Sequence, residues 1–83
     1  MTDDELLVLF SQTLADLLGE DSVPLTMSTR RTDVPNWDSF VYINFIATVE
    51  MKLSIRFGVA DVESFENVGA IVSRTQALLS AKQ

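Results

Sequence analysis

The sequence predicts an all-α fold: a small four-helix bundle with three longer helices, one short helix and a long first loop. Apolar residues recur at helical spacing in three separate segments. The first two of these segments are separated by a stretch that contains both prolines, Pro24 and Pro35. A chain of 83 residues with 47% apolar side chains supports one modest core. We therefore expect a single domain over residues 1–83.

The first helix is predicted over about residues 3–18. Thr2 and Glu5 have the spacing of a capping box, and Gly19 is suited to the C-terminal cap. The residues expected on its core face are Leu6, Phe10, Leu14 and Leu17, with Leu7 and Leu18 beside them.

The next connection, residues 20–37, is long, and loops of more than about 12–15 residues are often functional. The residues expected to hold it against the core are Val23, Leu25, Met27 and Val34. Arg30 and Arg31 are candidates for contact with a phosphate or a carboxylate, although solvated loop charges are the favoured interpretation. Trp37 is expected to pack its ring against the loop, with partner contact as the alternative.

The second helix is predicted over about residues 39–52, with more apolar surface than one core stripe needs. The residues of the core stripe are Tyr42, Phe45, Ile46, Val49 and Leu53. The residues of a second apolar set are Phe40, Ala47 and Met51, flanked by Val41 and Ile43. Either a small bundle buries more than one stripe of its central helix, or the second set docks partner proteins.

The last third of the chain is predicted to be an extended stretch, a short helical turn near residues 61–65, and a final helix from residue 66 or 67 to 81. A strand over residues 53–57 is disfavoured because it would have no partner. The residues of the final helix's buried face are Val68, Ile71, Val72, Thr75, Leu78 and Leu79. Gly69 weakens this helix by roughly 1 kcal/mol relative to Ala, and it could allow close contact with another helix.

The composition excludes several classes of function. The chain contains no Cys, so it has no disulfide and no thiolate metal site. It also contains no His, which is the usual general base for a catalytic serine. We therefore expect no catalytic residue and no metal site. The acidic first residues do not fit a signal peptide, and no apolar run approaches the roughly 18 residues of a membrane span, which predicts a cytoplasmic protein. The net charge of −6 argues against nucleic acid and anionic membranes as partners.

The segment Asp38-Ser39-Phe40 lies where the loop gives way to the second helix. Asp38 and Ser39 are both good N-cap residues, and an N-cap side chain can still be exposed. Backbone N–H groups and the macrodipole favour negative charge at a helix start. A phosphate attached to Ser39 would therefore be held favourably.

This motif resembles the acyl carrier protein family, in which Asp-Ser-Leu marks the attachment site. In this chain 38 residues precede Ser39 and 44 follow it. The later positions that align with the family without a gap are Glu50, Leu53, Phe57, Phe65 and Val68. The resemblance implies that a phosphopantetheinyl transferase moves 4'-phosphopantetheine from coenzyme A onto Ser39, with Asp38 helping the transferase to engage through its magnesium ion. Acyl groups are then carried on the terminal thiol as thioesters.

The resemblance further implies a monomeric, non-catalytic carrier that presents acyl groups to acyl-loading and acyl-processing enzymes through its second helix. The expected docking residues are Phe40, Val41, Ile43, Ala47 and Met51. The residues expected to line an acyl pocket are Ile43, Ile46, Val49, Leu53, Phe57, Val62, Phe65, Val68 and Ile71. The same positions also describe a packed core, and the sequence does not separate the two interpretations.

The chain departs from the family in its charge distribution. Typical carriers have acids two and five residues after the serine, where this chain has Val41 and Asn44. Residues 38–56 carry no net charge, whereas residues 1–21 carry −6. This difference predicts apolar docking and a dedicated pathway, of specialised lipid or polyketide-like type, rather than general fatty acid synthesis.

Three other functions fit the sequence less well. An aminoacyl or peptidyl carrier of nonribosomal type usually has glycines before its serine, which this chain lacks. An unmodified helical interaction module would not need the intact Ser39. A hydrolase with Ser39 as nucleophile lacks both a histidine and a Gly-x-Ser-x-Gly elbow.

Overall fold

The computed structural model describes residues 1–82 and contains four α-helices. The helices are α1, Asp3–Leu18, α2, Ser39–Leu53, α3, Val59–Ser64, and α4, Val68–Ala81, and one turn of 3-10 helix spans Arg31–Asp33 in the first loop. No β-strand occurs within residues 1–82. The predicted all-α fold, with three longer helices and one short helix, is confirmed. None of these four helices is long and apolar enough to cross a membrane.

The ends of α1 follow the sequence prediction. The backbone N–H of Glu5 donates to Thr2 Oγ1 at 3.1 Å, and that of Thr2 donates to Glu5 Oε1 at 2.8 Å, which completes the capping box. Gly19 ends the helix in the left-handed conformation, with φ of 70°. Leu17 was expected on the core face but is exposed. The buried face turns toward Thr13 and Leu14 in this part of the helix.

The core is organised around aromatic rings from α1, α2 and the end of the first loop. Phe45 meets Phe10 edge-on at 5.5 Å between centroids and Trp37 edge-on at 5.4 Å, which is a favourable arrangement of aromatic quadrupoles. Trp37 is only 5% exposed. Its ring belongs to the core rather than to the loop surface, and it offers little area to a partner. Of the predicted α2 stripe, Tyr42 and Leu53 are half-buried.

The first loop is attached to the core partly as predicted. Val23 is buried and Leu25 and Val34 are partly buried. The prediction is wrong for the Met27 side chain, which is 37% exposed. The main chain of Met27 makes the attachment instead, because its carbonyl accepts from the Gly69 N–H at 2.7 Å. Gly69 therefore allows a close approach of the loop, not of another helix.

The second half of the bundle is tied together by polar contacts at helix starts. α3 begins at Val59, two residues before the predicted turn. Asp61 accepts from the backbone N–H of Gly58 at 3.0 Å and pairs with Arg74 of α4 at 3.0 Å. α4 begins after Asn67, whose side chain caps it.

Candidate functional site

The start of α2 is capped by Asp38. The Asp38 backbone is extended, its Oδ1 accepts from the Val41 N–H at 2.9 Å, and its carbonyl accepts from the Tyr42 N–H at 2.9 Å. The sequence left the cap open between Asp38 and Ser39. The structure assigns it to Asp38, so Ser39 is the first residue inside the helix.

Ser39 is exposed, and so is its neighbour Phe40. The first N–H groups of a helix have no intrahelical acceptor and lie at the positive end of its dipole. A phosphate ester on the Ser39 hydroxyl would therefore lie in a favourable field and remain accessible to an enzyme. The first N–H groups of α2 suit the negative charge of the phosphodiester through which a phosphopantetheine arm would be attached to Ser39.

Beyond Ser39, α2 leaves an apolar stripe in solvent, which we call the outer α2 surface. Its residues are Phe40, Ile43, Ala47 and Met51, of which Phe40 is 77%, Ile43 57% and Met51 81% exposed. Val41, the remaining predicted docking residue, is half-buried and packs against the core. Isolated exposed apolar residues are ordinary on proteins, whereas a contiguous patch often marks an interaction site.

A groove of about 320 Å³ separates α2 from α3. Its lining residues are Ile43, Ile46, Ala47, Glu50, Phe57, Val59, Val62 and Glu63. Of the predicted pocket residues, Ile43, Ile46, Phe57 and Val62 line this groove. The others do not: Val49, Val68 and Ile71 are buried in the core, and Leu53 and Phe65 pack against it.

The residues of the groove that the sequence did not assign to a pocket are Ala47, Glu50, Val59 and Glu63. Val59 and Glu63 lie on α3, whose start the sequence placed too late. The sequence identifies Glu50 only as a position that aligns with the acyl carrier protein family. In the structure its Oε2 accepts from the Phe57 N–H at 2.7 Å. Glu50 thereby fixes Phe57, which stacks edge-on with Phe65 at 5.5 Å between ring centroids.

Tyr42 connects α2 with both α3 and the first loop. Its hydroxyl donates to the Val62 carbonyl at 2.7 Å, and the Arg31 guanidinium carbon lies 5.3 Å from its ring centroid. Burial raises the pKa of Tyr42, and the positive charge of Arg31 opposes this increase. Arg30 and Arg31 are both exposed, as expected of solvated loop charges. Arg31 also makes a cation–π contact with the Tyr42 ring, which the sequence did not predict.

Comparison with solved structures gives a match over nearly the whole chain. The solution NMR structure of the holo acyl carrier protein from Geobacter metallireducens superposes with a TM-score of 0.83. It is 26% identical in sequence, and the match covers 92% of this chain and 87% of the other. This confirms the resemblance to the acyl carrier protein family. No family model matches the sequence, and no curated protein matches it either.

The match supports a carrier role in general terms. The matched acyl carrier protein was solved in its holo form, which agrees with a family that bears a prosthetic group. The two structures share their helical architecture, and in this chain the start of α2 lies at the surface.

Proposed function

We propose that this chain is a single-domain, monomeric acyl carrier protein over residues 1–83, with its phosphopantetheine arm on Ser39. The observation that carries the proposal is the exposed Ser39 at the first position of α2, within an acyl carrier fold. Asp38 has taken the capping role, so the Ser39 hydroxyl is not needed to satisfy the helix. Neither histidine nor cysteine is present to supply a catalytic centre, which supports a non-catalytic carrier.

The arm supplies the thiol on which acyl groups form thioesters. The chain's own residues provide the frame. α2 is fixed by the buried rings of Phe45 and Trp37, so the attachment point is rigid while the arm is free to move. Tethering raises the effective concentration of the acyl group at each enzyme. Asp38, next to the acceptor, would help a phosphopantetheinyl transferase to engage through its magnesium ion.

The outer α2 surface is proposed to dock the transferase and the acyl-loading and acyl-processing enzymes. Residues 38–56 carry no net charge, and the exposed side chains of this surface are apolar. Docking would therefore depend on burial of apolar area rather than on rows of salt bridges. Such a surface supports a dedicated lipid or polyketide-like pathway, and the proposed location of the protein is the cytoplasm. Efficient turnover by the condensing and reducing enzymes of ordinary fatty acid synthesis would contradict this part of the proposal.

The groove between α2 and α3 is proposed to shelter the acyl chain. This groove is largely apolar and adjoins the outer α2 surface, because Ile43 and Ala47 belong to both. Phe57 is nearly fully buried at the base of the groove, and its contacts with Phe65 and Glu50 hold it in place. The fixed Phe57 ring therefore limits how deeply a long acyl chain could enter.

The carrier function is tested by loading. The purified chain is incubated with magnesium, a broad-specificity phosphopantetheinyl transferase and either coenzyme A or an acyl-coenzyme A, and its intact mass is measured. Wild type and the exposed-serine control Ser73→Ala should each gain one arm. With the acyl donor they should also gain an acyl group that neutral hydroxylamine releases as expected of a thioester. Ser39→Ala should gain nothing. A folded wild-type chain that gains no mass would contradict the proposal and favour an unmodified interaction module.

A further inference from the structure

Arg31 is held in a defined place, although it lies in the long first loop. The 3-10 turn at Arg31–Asp33 is closed by Asp33, whose carboxylate accepts from the Arg30 N–H at 2.9 Å. The Arg31 guanidinium then covers the Tyr42 ring, with 5.3 Å between its carbon and the ring centroid. The backbone and the head group of Arg31 are therefore both positioned by contacts.

This position lies beside the start of α2. Tyr42 follows Ser39 by three residues, and residues at this spacing on a helix have Cβ atoms about 5–6 Å apart. Arg31 also lines a small cavity of about 20 Å³ together with Trp37 and Tyr42. Arg31 thus contacts Tyr42, which follows Ser39 in the sequence, and shares a cavity with Trp37, which precedes it.

The charge of Arg31 is not neutralised by direct contact with a carboxylate within residues 1–82, where the ion pair observed joins Arg74 to Asp61. Glu66 lines the same cavity as Arg31 without forming such a pair, and Asp38 uses its carboxylate to cap α2. A guanidinium can donate two parallel hydrogen bonds to a phosphate, which makes it well suited to this anion.

We propose that Arg31 binds the phosphate of the arm on Ser39 and thereby sets the direction in which the arm leaves α2. This inference rests on the proposed function, in which Ser39 is the attachment site. The phosphodiester on Ser39 adds one negative charge beside Asp38. Arg31 is the cation that the Tyr42 contact holds at this end of α2, and it offsets that charge. Arg30 precedes it in the loop but is not stacked on Tyr42.

The test uses the holo chain and two matched variants, Arg31→Ala and the control Arg30→Ala. After intact mass has established complete loading, the ³¹P chemical shift of the phosphodiester is recorded at low salt and at 1 M NaCl. The Arg31 side-chain N–H signal is also compared between the apo and holo chains. Arg31→Ala should move the ³¹P resonance, while Arg30→Ala should leave it near the wild-type position. The difference should shrink at 1 M salt, where the Debye length falls to about 3 Å.

The outcomes separate this inference from the proposed function. If the arm attaches but the ³¹P resonance is the same in wild type and Arg31→Ala, or moves equally in both variants, the phosphate contact is wrong and the carrier function stands. If the folded chain does not acquire the arm, the mass spectrum shows this before any NMR measurement, and both proposals fall. A shift of the Arg31 side-chain N–H signal on loading, together with an Arg31-specific ³¹P change, supports the contact.

Discussion

The starts of α2 and α4 are built alike but are used differently. Each helix is capped by a side-chain oxygen that accepts from a backbone N–H three residues later. Asp38 Oδ1 accepts from Val41 at 2.9 Å, and Asn67 Oδ1 accepts from Ala70 at 2.8 Å. The two caps are therefore equivalent in geometry.

The next two residues of each helix differ. In α4, the N–H groups of Val68 and Gly69 donate to carbonyls of the first loop at 2.8 and 2.7 Å. In α2, the corresponding residues, Ser39 and Phe40, are exposed. The start of α2 would therefore accommodate the phosphate of the proposed arm on Ser39, whereas the start of α4 is occupied by the first loop. The bundle uses one start to hold its long loop and leaves the other free.

The largest expected effect is at Gly69. A Cβ at this position would lie 2.6 Å from the Met27 carbonyl oxygen, so the loop backbone must shift. We expect Gly69→Ala to lower the free energy of unfolding by about 1–3 kcal/mol, although helix propensity alone would favour Ala by about 1 kcal/mol. Urea denaturation measures the change. The control is Phe40→Ala at the corresponding α2 position, which should stay within about 0.5 kcal/mol of wild type. A stabilised Gly69→Ala chain would show that α4 does not hold the loop.

Removing either cap should cost less. Asp38→Ala and Asn67→Ala are each expected to lower the free energy of unfolding by about 1 kcal/mol. Asp38→Asn keeps the capping oxygen and should be nearly neutral in the same measurement. It removes the negative charge, however, so it should slow loading by the transferase. Loading of Asp38→Asn at the wild-type rate would show that Asp38 acts only as a cap.

Asp61, near the start of α3, makes the stability of the fold depend on pH. The Gly58 N–H lowers the pKa of Asp61 below its ordinary value of 3.8, and Arg74 adds to this effect. Because the unfolded chain binds the proton more tightly, the stability contributed by Asp61 is present above that ordinary value. It is lost as the pH falls through the lowered pKa. Wild type should therefore be more stable than Asp61→Asn at neutral pH, by a small margin since both partners are partly exposed. Thermal unfolding across the acid range should show this margin disappearing, and a constant margin would contradict the assignment.

The smallest expected effect on stability is at Ser39. Its side chain has no capping role, so Ser39→Ala should change the free energy of unfolding by no more than about 0.5 kcal/mol. Chemical denaturation measured alongside Asp38→Ala provides the reference for a residue that does cap. A loss at Ser39 as large as at Asp38 would mean that the hydroxyl supports the helix.

Local patterns in the sequence were sufficient for much of this fold. The capping box of Thr2 and Glu5 and the C-cap at Gly19 depend on residues a few positions apart, and the structure confirms both. The sequence also indicated that α2 carries more apolar surface than the core needs. These features are readable because helical spacing and capping are properties of short segments.

The features that the sequence missed depend on contacts between distant segments. Gly69 meets the Met27 carbonyl across 42 residues, and Arg31 meets the Tyr42 ring from the loop. Val59 joins the groove because α3 forms the side of it opposite α2. No local pattern encodes these pairings. The sequence offers a close contact as one interpretation of Gly69 and of the two loop arginines, with solvated charges favoured for the arginines, but it does not identify Met27 or Tyr42 as the residues contacted.

The most direct test of the free helix start is to locate the arm on the chain. After treatment with coenzyme A, magnesium and the transferase, the protein is digested with trypsin and its peptides are fragmented in the mass spectrometer. Cleavage after Arg31 and Lys52 gives the peptide of residues 32–52, in which Ser39 is the only serine. We predict that this peptide alone carries phosphopantetheine and that the fragments assign it to Ser39. Attachment at any other residue, or none on a folded chain, would contradict the account.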